Sequence, residues 1–580
     1  MGPYTASLDP KKKEIRQLVL QPLKAGNVIQ CSTETISLLE QPEFEALSYV
    51  WGDASIRQTI TFNGSPFTVT QNLAIALRYL RLPEKPRRIW IDALCINQED
   101  TNERNSQVSM MGEIYRCASP VLIWLGESSK DTDEAFALIS HVYKEHDITK
   151  EMSRLLFSFY IQLVGREWFT RLWTIQELVL AKQDPLIGCG LSWTTWSTLF
   201  GVWQRVAMKE FSKMGMVMLK EGRSNEDKDS VNVVVRPNAI RIDLLNNLRV
   251  GVASKRGEDL RDLLLNTVSS NATEPRDRIY GLLGMLSEQD RQYFKVDYNR
   301  PLGTVFAEAV SHIFQNGKGA FLLSGLKLAG PNFSDPSFPS WVPKFGTKSL
   351  LSPSRFHPAG IGASGSGSDA INGEVDSNLQ TLRIRGLPVD IIVDKIVFGE
   401  SVNPLAHLPR VESFANKARE LAASYSTTRP HLHAFKTSEP LWRTLIANKA
   451  YSGATRESAP ESYSEMYEKI LENPLSESDE SVREYRLSLL NHLPSSCFFI
   501  TATGFCGIGP DIIEKGDHLA IWFGAPAPFI LRQYARAQND HEKQVYSVCG
   551  VAYVAGIMEG QMVDEVYCED LENDIMFVVR

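Results

Sequence analysis

Apolar and polar positions along the first 200 residues switch between a strand-like and a helix-like period. Residues 15–20 and 28–39 carry alternating or continuous apolar runs and predict strands. Residues 44–50, Phe-Glu-Ala-Leu-Ser-Tyr-Val, predict a third strand that stops at the turn signal Trp51-Gly52-Asp53. Over residues 59–69, Ile60 and Phe62 alternate with polar residues, Asn63-Gly64 supplies a turn, and Phe67 and Val69 return, which is a hairpin pattern. Leu73, Leu77 and Leu80 then share one helical face. In residues 88–98, a first apolar run ends at Asp92 and a second, Leu94-Cys95-Ile96, ends at Asn97 and Gln98, as expected of a buried strand opening into a loop. Asp100 and Glu103 have capping-box spacing and open a helix whose buried stripe is Val108, Met111 and Tyr115. Residues 120–125 predict one more strand, closed by Gly126. Strands alternating with helices predict an α/β fold with a mostly parallel sheet and crossover helices.

Beyond this block the pattern changes. In residues 166–181, Leu172, Ile175 and Val179 line an inner helical face, while Trp173 and Glu177, four apart, share a second one. Residues 193–220 and 304–314 read as helices, and 221–232 as an exposed polar loop. Residues 379–396 and 497–579 are strand-rich, with helical, charged sequence over 405–490 between them and an exposed Ser/Glu-rich stretch at 476–481. The expected division is an α/β domain at 14–200, a helical extension at 201–345, a Gly/Ser-rich linker at 346–378 and a mixed helical and β-rich region at 379–580. The linker contains Gly360-Ile-Gly-Ala-Ser-Gly365, a literal GxGxxG. No strand precedes it and no apolar helix follows, so it is expected to be a loop that binds no nucleotide.

Charge and composition narrow the partners. The net charge is −8 with no long basic block, which argues against nucleic acid. No run of about 18 apolar residues is present, so no membrane span is expected. The first residues are polar and then basic, without the apolar stretch of a signal peptide, and the eight cysteines show no CxxC pairing. Together these predict a cytoplasmic protein with reduced thiols. Asn271-Ala-Thr273 matches a glycosylation acceptor that such a protein leaves unused. None of the ten histidines has metal-ligand spacing to acidic or thiol partners, His431 and His433 being the only close pair, and GxSxG, Walker A and HExxH are absent. No metal site and no bound cofactor are expected. Asp92, Asn97 and Gln98 are candidate site residues, because α/β sheets bind ligands outside the carboxyl ends of their strands; Asp and Asn are equally favoured as turn and cap residues. Trp173 beside Glu177 suits a planar ring and a ribose or a proton, and suits equally a Trp packed by a solvated Glu.

Five blocks resemble the fungal heterokaryon-incompatibility (HET) domain family, in its order and with its spacing. They are residues 44–53; Trp90-Ile-Asp-Ala-Leu-Cys-Ile-Asn-Gln98; Glu103-Arg104 with Gln107, Met110 and Ile114-Tyr115; Trp124-Leu-Gly126; and residues 168–178. Phe44 stands where the family usually has Tyr. Residues 275–284, Pro339-Ser-Trp-Val-Pro343 and the β-rich carboxyl-terminal region resemble sequence found after such domains in larger HET proteins. The resemblance implies a role in non-self recognition and programmed cell death, with an unknown incompatibility partner and self-association through the HET domain. HET domains are thought to be distant relatives of TIR domains, some of which cleave NAD with a glutamate in a Trp-x-x-x-Glu helix. By that analogy Trp173-Thr-Ile-Gln-Glu177 makes Glu177 the catalytic residue. It also makes Ser48, Trp51, Gly52, Asp53, Asp92, Asn97, Gln98 and Trp173 substrate-binding residues, with NAD as substrate rather than cofactor. An NAD-hydrolysing effector and a non-enzymatic, self-associating or regulatory module with the same fold both stand at this point.

Overall fold

In the computed structural model the residues described are 4, 6–26, 28–145, 148–220, 241–252, 257–335, 337–345, 363, 373–398, 408–428, 440–450, 458–472, 480–534, 544–563 and 575–580. The loop at 221–232, the glycine motif at 360–365 apart from Ala363, most of the 346–378 linker, His431, His433 and residues 476–479 lie outside them. The chain divides into two compact units, Met1–Asn299 and Arg300–Arg580.

The first unit is built on a nine-stranded sheet of order β5-β4-β2-β1-β6-β3-β7-β8-β9. Its strands are β1 (Glu14–Leu20), β2 (Gln30–Ser37), β3 (Glu45–Tyr49), β4 (Arg57–Phe62), β5 (Ser65–Thr70), β6 (Arg87–Trp90), β7 (Val121–Trp124), β8 (Leu186–Cys189) and β9 (Ser192–Thr195). The strands expected to end near Val50, Ile91 and Leu125 are neighbours at its centre. β3 pairs in parallel with β6 on one side and β7 on the other, and β7 pairs in parallel with β8. Outside these four strands the sheet is mixed. β1 runs antiparallel to both β2 and β6, and the β4–β5 and β8–β9 hairpins close the edges. The β4–β5 turn is the Asn63-Gly64 pair, both at positive φ (51° and 79°), the backbone that a two-residue hairpin loop requires.

The parallel core follows from the sequence of its strands. Residues 121–124, Val-Leu-Ile-Trp, are buried on both faces, as suits a strand covered by helices above and below. Those helices are α1 (Gln71–Leu80), α2 (Asp92–Cys95), α3 (Thr101–Cys117), α4 (Lys130–Glu145), α5 (Lys150–Val164), α6 (Trp173–Val179) and α7 (Trp196–Lys220). Leu94 and Cys95 thus belong to a single helical turn and not to a strand, because Asp92 starts a helix there. The buried face of α3 is Gln107, Met110, Met111, Ile114 and Tyr115, with Val108 half-buried beside it. Chain order across the parallel core makes β3 the switch strand. The path goes from β3 to β6 on one side and then crosses to β7 on the other, which puts the topological switch point at the carboxyl end of β3, where sheets of this kind bind ligands.

A helical stretch follows the sheet and continues through residues 241–252 and Leu260–Asn266 in the first unit and Leu302–Gln315 in the second. The second unit has a sheet of β10 (Gly373–Val375), β11 (Leu382–Val397), β12 (Ser496–Thr501), β13 (Cys506–Pro510), β14 (His518–Trp522), β15 (Phe529–Gln533), β16 (Val545–Val551), β17 (Tyr553–Val554) and β18 (Ile575–Val579). The order β14-β15-β16-β18-β11 closes on itself through a β11–β14 pairing, forming a small barrel. β11 pairs with β10, β12, β14 and β18, and its register shifts at Pro388/Asp390 and again at Ile392/Asp394, bulges that bend the strand. Leu387, Ile392, Phe499, Leu519, Ile521 and Ile530 belong to one buried apolar cluster, the packed core expected of so small a barrel. Asp517, beside it, is held by Arg532 (Nε–Oδ1 2.9 Å).

Candidate site at the carboxyl end of the central strand

Ser48 is fully buried near the end of β3. It accepts a hydrogen bond from Trp168 Nε1 (2.8 Å), so its own proton points onward, and it donates to Glu177 Oε2 in a short contact. The chain Trp168–Ser48–Glu177 therefore has a fixed direction. Trp168 is delivered by the 3-10 turn Glu167–Thr170, and Glu177 by α6, which lies against β3 and β7. Glu177 is 6 % exposed. Burial disfavours its charged form and pushes its pKa from 4.5 up to about 8; the Ser48 hydroxyl and the nearby Arg171 pull it down, and the negative Asp92 adds to the rise.

Asp92 is the second carboxylate. It follows β6, the neighbour of β3, and opens α2. Its Oδ2 accepts from Trp51 Nε1 (2.9 Å) and its Oδ1 from the Ala93 amide (2.7 Å). Burial raises its pKa, against the Trp51 hydrogen bond and the positive charge of Arg171. Gln98 reaches back and donates to the Asp92 carbonyl (3.1 Å). Two loops are thus tied to one residue, Trp51 from the β3 side through the carboxylate and Gln98 from the loop after α2 through the backbone carbonyl.

The remaining expected residues have other duties. Asn97 accepts from the Glu99 amide (3.3 Å), and its own amide donates to Glu103 (2.7 Å). Asp100 caps α3 through the amides of Asn102 and Glu103, but the Glu103 carboxylate does not close the box. It pairs with buried Arg16 instead (NH2–Oε2 3.0 Å). Gly52 and Asp53 form an exposed turn, with Asp53 accepting from the Ser55 amide and hydroxyl (2.8 and 2.7 Å), which lowers its pKa. Gly52 is needed there: its φ is +75°, and a Cβ would stand 2.9 Å from Asn72 Cβ. Trp173 and Glu177 have different partners. The Trp173 indole donates to Asp277 (2.8 Å), which also accepts from the Tyr298 hydroxyl (2.7 Å) and whose pKa burial raises to about 6. Gln176 likewise turns away and accepts from the Gly284 amide (2.9 Å). The Trp-x-x-x-Glu segment is therefore split. Trp173 and Gln176 clamp residues 277–284, and Glu177 meets Ser48 on the sheet.

Three participants escaped the sequence reading. Trp168 orients Ser48. Arg171 exerts its positive charge on Asp92 and Glu177 alike. Tyr49, 4 % exposed, is the last residue of β3, and its hydroxyl lies within electrostatic reach of Asp92, Arg171 and Glu177. All three sit inside the motif blocks, and nothing in residue spacing separates them from the structural aromatics and arginines around them. Among the described residues no cluster of His, Cys, Asp and Glu could hold a metal, and no helix is long and apolar enough to cross a membrane. Every cysteine among them is a free thiol.

Comparison with known proteins agrees with this architecture. Residues 44–177 match the heterokaryon incompatibility protein (HET) family, a range that starts just before β3 and ends on Glu177. Residues 412–572 match the Het-6 beta-barrel domain, with the barrel completed by β11 and β18 outside that range. Heterokaryon incompatibility protein 6, OR allele, of Neurospora crassa is 22% identical, in an alignment covering 98% of this chain and 97% of the relative. No solved structure matches. These matches place the chain among the fungal heterokaryon-incompatibility (HET) domain proteins.

Proposed function

We propose that the chain acts in fungal heterokaryon incompatibility, and that its amino-terminal unit drives the cell-death response by hydrolysing NAD in the cytoplasm. The supporting observation is the pair of carboxyls, Glu177 and Asp92, set at the switch point of a parallel core and held by Ser48 and Trp51.

In the reaction, the bond between ribose C1′ and the nicotinamide nitrogen breaks. Its electron pair returns to the ring, which loses its positive charge. Water supplies the hydroxyl to C1′ and a proton is released. The ribose passes through an oxocarbenium-like state, and carboxylates aimed at that developing positive charge stabilise it. Glu177 holds its proton near neutrality. The cationic nicotinamide ring, arriving beside it, favours the ionised form and draws that proton off. The Trp51 indole, tethered to Asp92, offers a face for ring stacking.

A second reading is a self-associating module without chemistry, and one observation favours it. Glu177 is almost wholly enclosed, and its motif neighbours Trp173 and Gln176 are committed to holding residues 277–284. NAD consumption by the purified full chain at high concentration, with and without a crowding agent, separates the two. Loss of NAD that Glu177→Gln abolishes supports the enzyme. Concentration-dependent assembly with NAD intact supports the module.

A further inference from the structure

Two further donors stand beside the carboxyls at the end of β3. Arg171 follows the turn that delivers Trp168, and its carbonyl is held by the Thr174 hydroxyl (2.9 Å) and by Arg241 NH2 (3.3 Å), so the backbone is anchored on two sides. Its half-buried guanidinium makes no ion pair or hydrogen bond among the described residues, although Asp92 and Glu177 both feel its charge. A guanidinium meant only to neutralise a buried carboxylate normally pairs with it through two parallel hydrogen bonds. The second donor is the Tyr49 hydroxyl. It is buried and has no hydrogen-bond partner among the described residues, and burial keeps the phenol protonated, so it needs an acceptor. An enclosed hydroxyl without an acceptor is expensive to maintain in a finished core, but natural where a ligand oxygen completes it.

We propose that Arg171 and the Tyr49 hydroxyl form the anion-recognising side of this site, so that it selects a ribosyl substrate carrying a 5′-phosphate over the same nucleoside without one. The proposal rests on the reading of the unit as cleaving the nicotinamide–ribose bond. Glu177 and Asp92 take the ribose and the cationic base; Arg171 takes a phosphate oxygen, and Tyr49 donates to the same group. A mononucleotide and a dinucleotide share this chemistry, and the substrates compared below distinguish them.

The test uses the purified full chain. Nicotinamide release is measured from NAD, nicotinamide mononucleotide and nicotinamide riboside for wild type, Arg171→Gln, Arg171→Lys and Tyr49→Phe. Binding of ADP-ribose and of inorganic pyrophosphate is followed in parallel by thermal shift. The wild-type ratio of kcat/KM for the mononucleotide over the riboside should fall roughly 10- to 100-fold in Arg171→Gln, mainly through KM, as expected for loss of one charge-assisted contact. Arg171→Lys should recover part of it, and Tyr49→Phe should lower it several-fold. A wild-type preference for NAD over the mononucleotide would place the second phosphate in the same subsite; equal rates would confine recognition to the first. An unchanged ratio in Arg171→Gln, with all three substrates slowed alike, overturns the proposal and leaves Arg171 a counter-ion. If no substrate is cleaved but ADP-ribose or pyrophosphate stabilises wild type and not Arg171→Gln, the hydrolase reading fails and the anion site stands. If neither ligand stabilises wild type, the anion site fails as well.

Discussion

Glu177→Gln gives the sharpest test, because the structure assigns it a signature in stability as well as in activity. Burial carries the carboxyl from 4.5 to about 8. Between those values the folded chain keeps a proton that the unfolded chain has released, so stability falls as pH rises through the window. At 1.36 kcal/mol per unit, a shift of about 3.5 units corresponds to at most ~5 kcal/mol lost between the lower and upper values. Glutamine keeps the shape, accepts the Ser48 hydroxyl through its carbonyl oxygen, and carries no charge at any pH. Near the acid end, where the wild-type carboxyl is protonated in both states, the two proteins should therefore unfold alike. At pH 9 the Gln variant should be the more stable by several kcal/mol. Urea unfolding of the full chain at pH 4 to 9, followed by tryptophan fluorescence, reads this as a midpoint that falls with pH in wild type and much less in the variant. The same variant should no longer cleave NAD or kill cells. Parallel pH dependences, or a Gln variant that is less stable at pH 9, would show that Glu177 is ionised and paired in the folded chain. A folded variant that still consumes NAD would favour the interaction-module reading.

Other substitutions probe the supports of the site. Ser48→Ala leaves the Trp168 indole without its acceptor and should cost about 1–3 kcal/mol in urea unfolding. It also strips Glu177 of the hydroxyl that favours its anion, so any limb of the pH–rate profile set by Glu177 should move above about 8. Trp173→Phe removes a donor from buried Asp277 and should lower stability by about 1–3 kcal/mol while leaving KM for NAD close to wild type, whereas a substrate-stacking Trp173 would raise KM. Glu103→Gln leaves Arg16 buried without its charge partner and should destabilise by about 3–5 kcal/mol. Gly52→Ala meets both a positive φ and the Asn72 side chain, and should cost about 1–3 kcal/mol, read as a lowered unfolding midpoint.

Much of the amino-terminal fold was legible because its signals are local. The apolar run of residues 121–124, the Asn63-Gly64 turn and the Asp100 cap each depend on neighbours within a few positions, and each appears where its pattern places it. The mixed edges of the sheet were not legible, since whether β1 runs with or against β6 is decided by chain paths far apart in sequence. Leu94 and Cys95 show the same limit on a smaller scale: a three-residue apolar run carries no period, and the tertiary setting made it a helical turn. For the site, sequence alone marked Glu177 and Asp92 as carboxylates in motif blocks and Ser48 as a serine in a strand. It could not bring them together, because Ser48 and Glu177 are 129 residues apart. Trp173 and Glu177 do lie four apart in one helix, as the spacing expects, but their side chains take different partners for a tertiary reason. Residues 277–284 pack against α6 and offer the indole a buried carboxylate, while Glu177 meets Ser48 on β3. The raised proton affinity of Glu177 has the same origin. Any glutamate has the same intrinsic acidity, and it is enclosure against the end of the central strand, next to a second carboxylate, that holds its proton near neutral pH.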